Sequence, residues 1–146
     1  MGAKGDATGR EAYKEHLRAF CLQLLRFIQA RGSDPSFLRS LEPAIQKCRS
    51  LKGLRTITGD LLEWSQDVGG EQLYELDSRL SSAGLPTLSA MRSAAHRRFA
   101  DLLCRERIKS GDDARFLEAR LSDVGPTGPS AAEREIANRL LLAYRP

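Results

Sequence analysis

Leucine occurs 22 times in this chain of 146 residues, while valine, isoleucine and threonine occur 2, 5 and 5 times. Straight and γ-branched side chains lose little rotamer freedom in a helix, whereas β-branched ones favour strands. The apolar positions carry the same bias, recurring every three or four residues rather than every two. The two observations predict an all-α fold, a compact bundle of six to seven short-to-medium helices.

Punctuation divides the pattern. Tyr13, Leu17, Phe20, Cys21, Leu24 and Ile28 form a first stripe, which Gly32 can end. Asp34 before Pro35 is a helix cap, followed by Leu38, Leu41, Ile45 and Cys48, with Pro43 predicting a kink or two short helices. A third stripe runs through Leu54, Ile57, Leu61, Trp64 and Val68, and Gly69-Gly70 closes it. Leu73, Leu76 and Leu80 precede a stop at Gly84. Leu88, Met91, Ala95, Phe99 and Leu102 share one face, after which the phase changes near Cys104. Ser110 with Asp113, and Ser130 with Glu133, have capping-box spacing ahead of the last two helices. These carry Ala114, Leu117 and Leu121, then Ile136, Leu140, Leu141 and Tyr144. Residues 1–9 are expected to be a flexible tail and 10–146 a single domain.

The chain is too apolar, at 41% hydrophobic residues, for a disordered segment, and no apolar run approaches the roughly 20 residues of a membrane helix. Its opening residues lack the apolar segment of a secretory leader. Cys21, Cys48 and Cys104 are too widely spaced for a zinc knuckle or a disulfide scaffold. A soluble cytoplasmic protein with free thiols, no cofactor and no membrane partner is the expectation.

Catalytic and metal constellations are missing from the sequence. No glycine-rich phosphate loop follows a predicted strand, and His16 and His96 have no ligand partners at helical spacing. Both histidines fall at the edges of apolar faces and are expected to be half-buried. Cys21 and Cys48 belong to apolar stripes. Cys104 stands beside Arg105 and Arg107, which would favour a thiolate, but burial with Ile108 is the preferred expectation. The adjacent Asp112 and Asp113 open a helix, where acids interact favourably with the dipole.

The net charge of +4 hides a segregation. Lys47, Arg49, Lys52 and Arg55 lie in an acid-free stretch, and Asp60, Glu63, Asp67, Glu71, Glu75 and Asp77 lie in a cation-free one. From Arg92 to Lys109 cations again dominate. Asp60, Glu63 and Asp67 share a flank of the third helix, and Arg97, Arg98 and Arg105 lie roughly opposite the apolar stripe of the fifth. Surfaces of opposite sign steer and orient a partner. Alternatively, the acidic and basic segments face each other within the fold. The expectation is a non-enzymatic interaction module, an adaptor, regulator or inhibitor of an unidentified protein, using Arg97, Arg98, Arg105, Asp60, Glu63 and Asp67. Self-association stays open, since an amphipathic helix can pack on its own copy. The alternative is a nucleic-acid-binding regulator using the basic 92–109 segment and a helix-turn-helix-like region at 105–121. Asp112 and Asp113 count against it, because they stand at the helix end that would enter the groove.

Overall fold

In a computed structural model, residues 3–31, 36–105, 107–125 and 128–144 are described, with side chains for 11–31, 39–93, 95–105, 107–125 and 128–144. The order is α1 (Ala3–Ala30), α2 (Ser36–Lys47), α3 (Leu51–Trp64), α4 (Gly70–Ser82), α5 (Leu88–Met91), α6 (Ala94–Leu103), α7 (Gly111–Leu121) and α8 (Ala131–Ala143). The all-α bundle expected from the leucine pattern is therefore what forms, without strands among the described residues.

Among the described residues there are eight helices rather than six or seven, because the fifth stripe is split. Ser93 adopts an extended backbone and its hydroxyl accepts from the His96 N–H, which starts α6 as a separate element. Ala95 is exposed in consequence, while Leu88 and Met91 stay buried with α5. Pro43 lies inside the single helix α2 rather than dividing it. α1 begins at Ala3, within the stretch expected to be a tail. The Gly32 stop and the Asp34–Pro35 cap lie outside the described residues.

α1 is the central rod, packing against α2, α3, α4 and α8. Its whole predicted stripe is buried, and Leu25 joins it, so the rod is covered on more than one side. Leu54, Leu61, Leu76, Leu80, Phe99, Leu117 and Ile136 converge on it in one apolar cluster. The third stripe extends less far than its spacing implied: α3 ends at Trp64, whose side chain is 45% exposed, and Val68 re-enters the core from the following turn.

Caps and cross-links use much of the charge. Ser130 and Glu133 form the full reciprocal box at the start of α8. Ser110 caps α7 by accepting from the Asp113 N–H at 3.2 Å, but the Asp113 carboxylate turns to two arginines instead of back to Ser110. Arg18 donates to the Ile45 and Gln46 carbonyls at the end of α2, where a cation meets the negative end of the helix dipole. Asp77 accepts from the Leu88 and Ser89 N–H groups at 2.8 and 3.3 Å, satisfying the orphan donors that open α5. Gly84, at φ +74°, closes α4 in the left-handed region that glycine enters at little cost.

Candidate docking groove

α3 packs on α1, and a groove of about 920 Å³ is lined by residues of α1, α3, the end of α5 and α6. Leu17, Leu62, Met91 and Ala100 make it partly apolar, and Tyr13, Thr58 and His96 add polar groups to its buried floor. Asp60, Glu63 and Gln66 line it from the α3 side, and Arg92 and Arg97 from the α6 side. Acidic and basic stretches far apart in sequence thus form the opposite banks of one depression.

The six residues expected to bind a partner divide into two sets. Asp60, Glu63 and Arg97 are exposed on the groove and form no ion pair among the described residues. Arg98, Arg105 and Asp67 are engaged within the fold. Arg98 and Arg105 each place a guanidinium nitrogen 3.2 Å from Asp113, and Arg98 lies 4.3 Å from the centre of the Phe116 ring. Asp67 receives Arg31 in a two-pronged pair at 2.9 and 3.3 Å, which holds its carboxyl below the usual range. These three residues are paired within the fold, but with Asp113 and Arg31, which lie outside the segregated acidic and basic stretches, so the pairs are not those stretches facing each other. Contacts of this exposed kind are screened by water, so they fix orientation more than stability.

Arg92 and Arg55 also line the groove but have internal work. Arg92 donates to the carbonyls of Ser65 and Val68, holding the turn that follows α3. Arg55 pairs with Asp101 across α3 and α6. Beyond Arg55 a second recess is lined by Leu51, Lys52, Thr56 and Cys104. Ile108 is buried as expected, whereas Cys104 is only half-buried and packs at the edge of the core.

Both histidines are buried rather than half-buried, His16 at 8% and His96 at 6% exposure. α8 covers the flank of α1 that carries His16, and Ser130 Oγ lies 2.9 Å from its Nε2. His96 packs edge-on against Phe99, with ring centroids 6.3 Å apart. Burial lowers the His16 imidazole to about 4. His96 is also lowered to about 4, first by burial and then by Arg120, Arg55 and His16. Burial pushes the Tyr13 phenol well above its ordinary range, so it stays protonated and can donate.

Tyr13 and His96 are the groove residues that sequence reasoning passed over. Tyr13 occupies a regular core position and His96 the edge of a helical face, so periodicity files both under packing. Neither the Tyr13 hydroxyl nor the His96 ring has a hydrogen-bond partner among the described residues, and both line the groove. The available signal was chemical: both bring polar atoms to positions that apolar side chains could fill.

Comparisons of the chain with family models, with curated proteins and with solved structures find no match. Among the described residues no group of three or more His, Cys, Asp and Glu side chains is arranged to hold a metal ion. No helix of the described residues is long and apolar enough to cross a membrane.

Proposed function

We propose that this domain is a non-enzymatic interaction module that receives a segment of a protein partner in the groove between α3 and α6, serving as an adaptor, regulator or inhibitor. One observation carries it: Arg97 faces Asp60 and Glu63 across a partly apolar depression, and the fold does not use these three charges. Complementary charge around an apolar contact is the arrangement that orients a partner and sets its rate of encounter. Trp64 adds a half-exposed aromatic beside Glu63 on the adjoining surface, a residue type enriched where binding energy concentrates. The nucleic-acid alternative is weakened by Asp113, which takes up Arg98 and Arg105 at the start of the helix that would enter a DNA groove.

The test compares two charge reversals. Arg97→Glu is expected to abolish capture of the partner by the tagged chain, while Arg98→Glu, away from the groove, leaves most of it. Equal retention of the partner by both variants, with folding intact, refutes the choice of groove.

A further inference from the structure

We infer that the two cation-rich stretches of the sequence meet at one end of the bundle as a basic surface, centred on Lys52 and Arg107, that binds an acidic segment of a protein partner. An apolar residue of that segment sits in the recess between the start of α3 and the end of α6. The surface lies outside the charged banks of the groove and is a second site of contact.

Folding brings the stretches together. Leu51, Lys52, Arg55 and Thr56 of α3 share a recess of about 390 Å³ with Cys104, the residue that ends α6. Arg55 pairs with Asp101 and ties the two helices. On one side the turn from α2 carries Lys47 and Arg49 up to the recess. Ser50 Oγ accepts from the Gly53 N–H at 3.0 Å, and a side-chain carbon on Gly53 would stand 2.7 Å from Cys48 Sγ, so the glycine gives this turn room to close. Lys14 of α1 donates to the Arg49 carbonyl at 2.9 Å and pins it. On the other side Arg107 follows Cys104 by three residues, about 11 Å of chain at most. Ile108 is buried and anchors that loop, with Arg107 and Lys109 exposed to either side of it.

The charges gathered here are not used by the fold. Lys47, Arg49, Lys52, Arg107 and Lys109 are exposed and form no ion pair among the described residues. Nearby Arg55, Arg98 and Arg105 differ, because Asp101 and Asp113 take up their charge. Lys52 stands in the first turn of α3, where a cation opposes the helix dipole, so helix stability does not account for it. Crowding like charges costs the folded state self-repulsion, which an acidic partner relieves. A nucleic acid and an acidic protein segment would both do so, and the recess separates them. Half-buried Leu51 and Cys104 line it, without an aromatic side chain on which a base could stack. The phosphate backbone of a duplex brings no apolar side chain to fill it. Acidic residues flanking a leucine meet both requirements, with carboxylates on the cations and the leucine in the recess.

The probe is a labelled, amidated Glu-Asp-Leu-Asp-Glu peptide, followed by fluorescence anisotropy against the full chain at low and then rising salt. Its counterparts are the neutralised Gln-Asn-Leu-Asn-Gln, a Glu-Asp-Ser-Asp-Glu peptide and a short labelled DNA duplex. The acidic leucine peptide is expected to bind saturably and to weaken as salt rises. The neutralised peptide is expected to bind at least tenfold more weakly, the serine peptide at least threefold more weakly, and the duplex more weakly than the leucine peptide. Lys52→Glu combined with Arg107→Glu is expected to cost at least tenfold in affinity with an unchanged melting temperature. Arg97→Glu combined with Arg139→Glu makes the same change of net charge on other surfaces and is expected to cost less than threefold. Equal binding of the acidic and neutralised peptides, or equal losses in the two double variants, overturns the basic surface. A serine peptide as tight as the leucine peptide overturns the recess as the apolar seat. A duplex that binds more tightly than the leucine peptide overturns the acidic segment in favour of a nucleic acid.

Discussion

Acidification from pH 7.5 to 5.0 should destabilise the domain through its two buried histidines. Each imidazole is held near 4 in the folded chain, against 6.5 for an exposed histidine. A lowered histidine pKa means that the unfolded chain binds the proton more tightly. The stabilising contribution is thus complete above about pH 6.5 and is lost as the pH falls towards 4. One unit corresponds to 1.36 kcal/mol, so full protonation costs roughly 3 kcal/mol per histidine, and about 2 kcal/mol of that is lost by pH 5. Two histidines together lose about 4 kcal/mol, a large share of the 5–15 kcal/mol typical of a domain. Glu133 works in the opposite direction. Burial raises its carboxyl, so it gains stability as the pH falls and offsets part of the loss. The assay is urea denaturation at the two pH values for the natural chain and for a His16→Gln, His96→Gln double variant. The natural chain should lose a few kcal/mol, or roughly 10 °C in melting temperature. The double variant, compared with itself across pH, should lose little. A flat profile in the natural chain, or an equal fall in both proteins, would refute the assignment of acid sensitivity to these rings.

The remaining expectations address the frame and its caps. Phe20→Ala, at a fully buried position on α1, should destabilise by about 3–5 kcal/mol, read as a shift in denaturation midpoint. Ser130→Ala removes both the cap of α8 and the hydroxyl facing His16, and should cost about 1–2 kcal/mol by the same measurement. Gly84→Ala forces a side chain into the left-handed region and should cost about 1–2 kcal/mol, although nothing stands within 4 Å of the added carbon. Asp113→Ala releases Arg98 and Arg105 and should change stability by about 1 kcal/mol or less, since both arginines are substantially exposed.

Much of the scaffold was legible before folding, and the reasons lie in local geometry. The stripe from Tyr13 to Ile28 is buried throughout because three- and four-residue spacing places it on one face of any α-helix. Ser130 and Glu133 form their box because all the participating groups lie within four residues. Misreadings arose where a second element altered the environment. Trp64 has core spacing but stands at the last turn of α3 and is 45% exposed. Ala95 shares a phase with Met91 only if the helix runs straight through Ser93, and it does not. The histidines sit at the margin of their own apolar faces, and marginal positions become interior when another helix closes over them.

The sequence by itself determined that this chain is helical, where most helices start and stop, and which faces turn inward, because these properties depend on residues a few positions apart. It also separated the charges into basic and acidic stretches. Only the tertiary structure decided which of those charges remain available. Arg97 and Arg98 are neighbours in the chain, yet one opens on the groove and the other is held by Asp113 and Phe116. The difference comes from α7 packing beside one flank of α6 while the other flank faces α3 across open space. Successive residues on a helix point about 100° apart, so the elements on either side of the helix decide what each one meets.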